Sequence, residues 1–382
     1  MEYAKRVQRL PPYLFAEIEK LKAEKKKQGV DLIPLGIGDP DLPTPQFVID
    51  AIEEELRKDE NHKYPSSEGE KDYREAVAAW MKTRFGVDVD ADKQVCCCSG
   101  SKEAIANIAR AFVNPGDNVL CPDPAYPVYG QGATVFCDGN PVKMPLKREK
   151  GFLPELKNFS GSKAKMAYLN YPNNPTGAVA TKDLMKEAQE FADREGLVYC
   201  YDNAYSEFTF DGYKAPSALE FGSNVAEFHS FSKTFNMTGD RIGFVVGDEK
   251  IVSGLKKIKT QIDSGTPMYL QRACIKALEA YEGKNPPREV RENMKEYERR
   301  RDVLCGGLRK LGFDAEKPKA TFYFWLPVEG SSAEFCKKLL DVGVVITPGI
   351  GFGENGEGFV RFALTQPIPR IRDALERMER IF

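Results

Sequence analysis

Short apolar runs alternate with helical patterns of apolar residues over most of this 382-residue chain. The runs have the length of buried strands, and the segments between them repeat apolar residues with the period of a helix. Alternation of this kind predicts an α/β fold in which helices cover both faces of a mostly parallel sheet. The predicted strands are residues 95–98, 118–121, 167–170, 197–201, 227–230 and 242–247, and the predicted helices include residues 46–58, 73–84, 102–112, 182–194 and 269–281.

The C-terminal part of the chain follows a different pattern. A long charged helix at about residues 287–311 precedes strands at 322–327, 344–347 and 359–364, with helices at 333–340 and from 369 onward. A chain of 382 residues also exceeds the roughly 250–300 residues that one hydrophobic core usually supports. We therefore expect a large domain over residues 45–285 and a smaller α+β domain built from residues 1–44 and 286–382.

Charge and hydropathy exclude several classes of partner. The net charge is −2, with 42% hydrophobic and 29% charged residues, which is ordinary for a globular protein. No apolar run approaches the roughly 20 residues that cross a bilayer, and the charged N-terminus lacks the apolar stretch of a signal peptide. We expect no nucleic acid and no membrane as partners, and a cytoplasmic location.

The nine cysteines do not have the spacing of metal ligands. Cys96, Cys97 and Cys98 are adjacent in a predicted strand, and the chain contains only two histidines. The cysteines are therefore interpreted as small buried hydrophobic residues in a reducing compartment, and no metal site is expected.

The run Ser-Phe-Ser-Lys at residues 230–233 carries the most chemical information. It is followed by Arg241 within a Gly-x-Arg-x-Gly sequence. The hydroxyls of Ser230 and Ser232 and the Arg241 guanidinium can hold a phosphate dianion, while the Lys233 amine can form an imine with an aldehyde. Pyridoxal 5′-phosphate is a phosphorylated aldehyde that meets both requirements. Serine-rich turns with a basic residue are also common on surfaces, so this run alone leaves both interpretations open.

Polar residues that follow other predicted strands supply further parts of such a site. Asp202 can pair with the pyridine nitrogen and keep it protonated, whereas Tyr205 and Asn174 can reach the phenolic oxygen of the ring. Each has a simpler interpretation. Asp202 can be a solvated or capping carboxylate, Tyr205 a packed aromatic residue, and the Asn174 loop an ordinary proline–glycine turn.

Three further segments are consistent with the same ligand. Gly100, Ser101 and Lys102 stand at the start of a predicted helix, where unpaired amides and the helix dipole favour an anion, although Ser101 as a plain N-cap uses the same geometry. Tyr126 can stack on the ring or pack in the core. Arg361 lies in an apolar run and needs a partner, which can be a structural carboxylate or the carboxylate of a substrate.

With these motifs in this order, the whole chain resembles the fold-type I pyridoxal phosphate enzymes, specifically class I/II aminotransferases. The resemblance implies that Lys233 bonds the cofactor and shuttles the proton. It also implies a homodimer with shared active sites. The implied contacts are Ser230, Ser232, Arg241, Gly100, Ser101 and Lys102 at the phosphate, Asp202, Tyr205, Asn174 and Tyr126 at the ring, Arg361, Gly38 and Asn174 at the substrate carboxylate, and Tyr64 at the phosphate of the other subunit.

Softer motifs resemble the LL-diaminopimelate aminotransferase subfamily. They are residues 12–18, 35–41, 61–69, 101–105 and 126–129, and they imply that Tyr13 lies near the substrate. The expected reaction moves an amino group between LL-2,6-diaminopimelate and 2-oxoglutarate. The alternatives are a broad aspartate, alanine or methionine aminotransferase, a pyridoxal phosphate-dependent C–S lyase, and a cofactor-binding regulator without turnover.

Overall fold

The structure, a computed structural model, describes residues 1–11 and 14–382 and gives side-chain detail outside residues 12–18. Helices and strands alternate as the sequence predicts. The helices are α1 Lys5–Gln8, α2 Leu14–Lys27, α3 Gln46–Leu56, α4 Lys71–Phe85, α5 Ser101–Phe112, α6 Lys182–Glu195, α7 Phe231–Thr234, α8 Glu249–Lys259, α9 Met268–Glu279, α10 Arg288–Lys310, α11 Ser332–Asp341 and α12 Ile368–Glu379. The strands are β1 Ile33–Pro34, β2 Val95–Cys98, β3 Asn118–Asp123, β4 Asn140–Pro145, β5 Met166–Asn170, β6 Val198–Asp202, β7 Val225–Ser230, β8 Gly243–Gly247, β9 Tyr323–Pro327, β10 Val344–Val345, β11 Thr347–Pro348 and β12 Phe359–Ala363.

A seven-stranded sheet forms the centre of the fold, with the order β2–β8–β7–β6–β5–β3–β4. Every neighbouring pair is parallel except those of β8, which runs antiparallel to both β2 and β7. The predicted α/β fold with a mostly parallel sheet is therefore confirmed. Strand β4, helix α8 and the reversed direction of β8 are absent from the sequence prediction.

Both faces of the sheet are buried, and the cysteine strand shows this directly. Cys96 and Cys98 pack with Ile105, Ile108 and other residues on one face, whereas Cys97 packs in a separate cluster on the other. Successive side chains of a strand point to opposite faces, so a strand with all its residues buried must have helices on both sides. Every cysteine is a free thiol, and the described residues hold no cluster of metal ligands.

The N-terminal segment joins the C-terminal part of the chain. Strand β1 pairs in parallel with β10, and a separate antiparallel sheet has the order β11–β12–β9. Ile33 and Leu35 belong to the same apolar cluster as Phe322 and Phe324, and this cluster also includes Tyr205 from the loop after β6. The described helices include none that is both long and apolar enough to cross a membrane.

Parallel strands place their carboxyl ends at one edge of the central sheet, where ligands of open α/β sheets bind. Asn170 ends β5, Asp202 ends β6 and Ser230 ends β7, so three polar side chains meet at this edge. The next helical turn, α7, carries Lys233 and begins directly after β7. The fold thus brings together residues that are far apart in the sequence.

Candidate active site

A cavity of about 410 Å³ lies at the carboxyl edge of the sheet and is closed on one side by residues of the C-terminal part. It collects nearly all of the predicted site residues. Those that line it are Gly38, Ser101, Lys102, Tyr126, Asn174, Asp202, Tyr205, Ser230, Ser232, Lys233, Arg241 and Arg361.

Lys233 presents its amine to this cavity from a short helical turn. The Ser230 hydroxyl oxygen accepts the backbone N–H of Ser232 at 3.2 Å and so caps the turn that carries the lysine. Lys233 Nζ donates to the carbonyl oxygen of Gly38 at 3.1 Å. Burial lowers the pKa of Lys233 to about 8; Asp39 opposes this shift, and the positive charges of Arg361 and Arg241 add to it. An amine with this pKa is largely neutral at mildly alkaline pH, as a nucleophile or base must be.

Asp202 is a buried carboxylate at the end of β6, with only 6% of its surface exposed. Its Oδ2 accepts the Tyr129 hydroxyl at 2.7 Å, and its Oδ1 accepts the backbone N–H of Ala204 at 3.2 Å. Burial raises the pKa of Asp202 to about 6, and these two hydrogen bonds offset only part of the shift. A carboxylate in this state gains stability when a cationic group binds next to it.

Arg241 and Gly100 form a compact cradle at the other end of the cavity. The Arg241 guanidinium donates to the carbonyl oxygens of Thr238 at 2.9 Å and Ser99 at 3.2 Å. Gly100 has φ +76°, and a Cβ at this position would collide with the guanidinium, so only glycine allows the close approach. Helix α5 begins at Ser101 with no side-chain cap, so Gly100 rather than Ser101 occupies the N-cap position. The cradle combines a guanidinium with helix amides, and this combination binds phosphate.

Arg361 is almost completely buried in β12, with 1% of its surface exposed. It donates to Asn174 Oδ1 at 2.8 Å and to the carbonyl oxygen of Gly36 at 2.8 Å. Its guanidinium carbon lies 4.1 Å from the ring centre of Tyr323 and 4.5 Å from that of Phe352. Burial lowers the pKa of Arg361 from its ordinary value. The flat guanidinium thus lies against two aromatic rings and is fixed by two hydrogen bonds, which suits recognition of a carboxylate.

Two predicted aromatic residues line the cavity. The Tyr205 hydroxyl lies 3.1 Å from the Tyr323 hydroxyl. Tyr126 is partly buried, and Lys102 Nζ lies 5.5 Å from its ring centre. Two further predictions are placed differently. The Tyr64 side chain is 90% exposed and does not line this cavity, and Tyr13 lies outside the described residues.

Seven of the described residues that line the cavity were not identified from the sequence, and four of them, Tyr129, Asn170, Tyr323 and Glu19, bear on its chemistry. Tyr129 bonds Asp202, and Asn170 Nδ2 donates to the Asp202 carbonyl oxygen at 2.9 Å. Tyr323 bonds Tyr205 and packs on Arg361, and Glu19 of α2 also lines the cavity. Asn170 had a usable signal, because it is a polar residue at the end of a predicted strand. The other three contacts depend on how distant segments meet.

The side chains of the cavity fit pyridoxal phosphate. The cradle of Arg241 and Gly100 suits the phosphate, and the amine of Lys233 with its lowered pKa suits the aldehyde. The buried carboxylate of Asp202, with its raised pKa, suits the ring nitrogen. The match rests on charge, burial and approach distances rather than on sequence motifs alone.

A family model for aminotransferase class I and II matches residues 30–378 of the chain. The chain belongs to this family. It is a pyridoxal phosphate-dependent transaminase that acts on amino acid and 2-oxo acid substrates, which confirms the predicted enzyme class and cofactor.

Relatives match over nearly the whole chain. It is 48% identical to the LL-diaminopimelate aminotransferase of Desulforudis audaxviator, over 98% of this chain and 96% of the relative. It is 47% identical to the enzyme of the same name from Aquifex aeolicus, over 100% and 99%. Among solved structures, substrate-bound BacF from Bacillus subtilis is 34% identical with a TM-score of 0.94, over 100% and 98%. Aspartate aminotransferase from Thermus thermophilus with maleate is 28% identical with a TM-score of 0.93, over 100% of both chains.

Proposed function

We propose that this transaminase exchanges an amino group between LL-2,6-diaminopimelate and 2-oxoglutarate, in lysine biosynthesis. The observation that carries this proposal is the 45–48% identity to relatives that bear the name LL-diaminopimelate aminotransferase, over at least 98% of this chain. The cavity supports it because an acidic residue, Glu19, which pairs with Lys22 at 2.6 Å, and a basic residue, Lys102, line it in addition to Arg361. Diaminopimelate has a second ammonium and a second carboxylate that need such partners.

Different residues of the cavity are assigned to the phosphate of the cofactor, to its ring and to the carboxylate of the substrate. We assign the phosphate to Ser230, Ser232, Arg241 and the amides of residues 100–102, and the ring oxygen to Tyr205 and Asn174. Because Asn174 Oδ1 already accepts from Arg361, its contribution must come from Nδ2. Tyr126 stacks on the ring. The guanidinium of Arg361 binds the substrate α-carboxylate through paired N–H donors, with Gly38 beside it.

Proton movement is assigned to Lys233 and Asp202. When bound, pyridoxal phosphate supplies an electron-withdrawing ring and a carbonyl carbon for the amine. Asp202 holds a proton at the ring nitrogen, since a carboxylate with a raised pKa gains from an adjacent cation. Lys233 Nζ, whose lowered pKa favours the neutral amine, would remove the proton from the substrate Cα and deliver it to the carbonyl-derived carbon of the cofactor.

Half-reactions test the substrate assignment. Purified enzyme carrying the cofactor is mixed with one amino acid at a time, and conversion to pyridoxamine phosphate is followed by the loss of visible absorbance. LL-diaminopimelate and glutamate should react at least about tenfold faster, as kcat/KM, than aspartate, alanine or methionine. The Glu19→Gln variant should lose rate with diaminopimelate but not with glutamate. Fast reaction with aspartate or alanine and none with diaminopimelate would overturn the proposal.

The second candidate is a transaminase of broad aspartate, alanine or methionine type. It is favoured by the close structural match to the Thermus thermophilus aspartate aminotransferase, with a TM-score of 0.93. The same half-reactions separate the two. Steady release of pyruvate and ammonia without an acceptor would instead indicate a C–S lyase, and retention of full activity by Lys233→Ala would indicate that this lysine has no part in turnover.

We also propose a homodimer in which Tyr64 reaches the phosphate of the partner's cofactor. Its 90% exposure supports this, because a large aromatic side chain of this kind suits an interface. The loop of Tyr64 contacts a second segment with an exposed apolar residue: the Ser67 hydroxyl donates to the Asp263 carbonyl oxygen at 3.3 Å, next to Ile262, which is 46% exposed. Sedimentation should give a dimer, and Tyr64→Phe should weaken cofactor binding about tenfold. A fully active monomer would contradict both statements.

We further propose that the chain divides into a large domain at residues 45–285 and a small domain at residues 1–44 and 286–382. Pairing of β1 with β10 supports this division, because it ties the N-terminal segment to the C-terminal part. Nine free cysteines support a cytoplasmic location, where thiols stay reduced. Limited proteolysis that cut within either unit before the connections near residues 45 and 285 would argue against the division. Enzyme recovered only from a secreted fraction would argue against the location.

A further inference from the structure

Tyr129 supplies the one side-chain hydrogen bond to the Asp202 carboxylate among the described residues. Its hydroxyl donates to Oδ2 at 2.7 Å across a separation of 73 residues. Tyr129 is 1% exposed, so this bond forms away from water. The charged and titratable groups that act on the carboxylate from the surrounding elements are Tyr129 and His229, with Tyr205 close by.

The backbone around Tyr129 is built to hold this hydroxyl in place. Tyr129 lies in a π-helix at Val128–Thr134, a rare conformation that often occurs at functional sites. The Thr134 hydroxyl donates to the Tyr129 carbonyl oxygen at 2.8 Å. The ring stacks on Tyr168, with centres 5.2 Å apart and planes at 28°, and the Tyr168 hydroxyl is fixed by the Ile105 carbonyl oxygen at 3.0 Å.

We propose that Tyr129 is a positioning residue for transamination: it fixes the Asp202 carboxylate and keeps it ionised, so that the ring nitrogen of the cofactor retains its proton. A carboxylate that loses a donor becomes more basic and draws the proton away from its partner. A ring without this proton is less electron-withdrawing, so removal of the substrate Cα proton by Lys233 would become slower. This inference rests on the role proposed for Asp202 and is independent of which amino acid is the substrate.

The physical properties of the phenol suit this role. Burial raises the pKa of Tyr129 well above its ordinary value, and the negative charge of Asp202 adds to that shift. Tyr129 therefore remains a neutral donor at neutral and mildly alkaline pH. Burial likewise raises the pKa of Asp202, and the Tyr129 bond is the largest effect that opposes this rise. Loss of the hydroxyl therefore moves the Asp202 carboxylate toward its protonated form.

The test compares Tyr129→Phe with Tyr168→Phe. Each substitution removes one buried hydroxyl from the same stacked pair, but only Tyr129 touches Asp202. The first measurement is the pH midpoint of the visible absorbance of the bound cofactor, which reports ring charge without turnover. Tyr129→Phe should raise this midpoint by about 0.5 pH unit or more, and Tyr168→Phe should leave it at the wild-type value.

The second measurement is steady-state transamination with protium or deuterium at the substrate Cα. Tyr129→Phe should lower kcat about 10- to 100-fold with little change in KM, and should increase the isotope effect, because proton removal becomes more limiting. In an Asp202→Asn background, the same substitution should have no further effect on the midpoint, since the acceptor charge is already gone.

Equal midpoints and equal isotope effects for Tyr129→Phe and Tyr168→Phe would overturn the positioning role. If Tyr129→Phe folds poorly, Tyr129→His offers a donor at the same position and should return the midpoint toward the wild-type value; no recovery in a folded protein would also count against the proposal. Failure of the wild-type enzyme to transaminate any amino acid would instead refute the proposed function.

Discussion

Two carboxylates on adjacent strands of the central sheet are both buried, yet their pKa values move in opposite directions. Glu227 in β7 is opposite Tyr201 in β6, one residue before Asp202. Burial raises the pKa of Asp202 to about 6. Burial also acts to raise the pKa of Glu227. Hydrogen bonds from His229, Ser217 and Asn203, together with the charge of His229, outweigh the effect of burial, so the pKa of Glu227 is lowered.

The difference lies in how many donors surround each carboxylate. Glu227 accepts from the Ser217 hydroxyl at 2.6 Å, the Ala218 N–H at 2.8 Å, Asn203 Nδ2 at 2.9 Å and His229 Nε2 at 2.8 Å. Asp202 accepts from Tyr129 and from the Ala204 N–H. A carboxylate with a full set of donors stabilises the fold, whereas one with fewer remains ready for a ligand.

The largest effect on stability is expected when Glu227, the carboxylate with four described hydrogen-bond donors, is removed. Glu227→Ala removes the acceptor of the Ser217 hydroxyl, the Ala218 N–H and His229 Nε2, all of them buried, which should cost about 3–5 kcal/mol of unfolding free energy. Urea denaturation of the cofactor-free protein measures this. The exposed helical residue Glu187 serves as the control, since Glu187→Ala should stay within about 0.5 kcal/mol of wild type. A loss of less than about 1 kcal/mol in Glu227→Ala would contradict the conclusion that the donors around Glu227 make it a stabilising residue.

The opposite sign is expected for the carboxylate at the ligand site. Asp202→Asn should stabilise the cofactor-free protein by about 1–3 kcal/mol at pH 8 while transamination falls. The upper bound follows from the rise from 3.8 to about 6 in the pKa of Asp202, at about 1.4 kcal/mol per pKa unit.

The pH dependence of this gain has a definite sign. Because the folded-state pKa is raised, the native state holds the proton more tightly, and stability from Asp202 is present below pH 3.8 and is lost as the pH rises through about 6. The free energy of unfolding of Asp202→Asn should therefore exceed that of wild type by an amount that grows between about pH 4 and pH 6 and stays constant above that range. Denaturation curves at several pH values measure it, and a variant less stable than wild type at pH 8 would contradict the expectation.

The smallest effect is expected from one hydroxyl at the satisfied site. Ser217→Ala removes one of the four described donors to Glu227 and should cost about 1 kcal/mol of stability. The pH midpoint of the cofactor absorbance should not move. The matched change at Asp202 is Tyr129→Phe, for which the midpoint should move. A midpoint shift in Ser217→Ala would show that the two carboxylates are not independent.

The sequence predicts those parts of the site that depend on local order. The end of one strand and the turn after it contain Ser230, Ser232 and Lys233, and the start of one helix contains residues 100–102. Their relative positions therefore follow from residues that are close together in the sequence. The ends of β5 and β6 were placed within a residue or two for the same reason, because buried strands have a recognisable length and composition.

Contacts between distant segments could not be predicted in this way. Tyr129 and Asp202 are 73 residues apart, and Tyr205 and Tyr323 are 118 apart, so their pairing depends on the final packing of the chain. Strand β4 begins and ends with polar residues and prolines and lies at the sheet edge, which weakens its pattern. The reversed direction of β8 is equally invisible to periodicity, because a strand has the same alternation in either direction.

The loop between β1 and α3, residues 35–45, affects how ligands bind in the cavity. The carbonyl oxygen of Gly36 accepts from Arg361, and that of Gly38 accepts from Lys233. The Arg361 guanidinium and the Lys233 amine therefore each already donate to a main-chain oxygen of this loop, and a ligand that binds either donor competes with that oxygen. The described lining of the cavity carries Lys102, Arg241 and Arg361 against Glu19 and Asp202, and this excess of positive charge should speed the capture of anions most at low ionic strength.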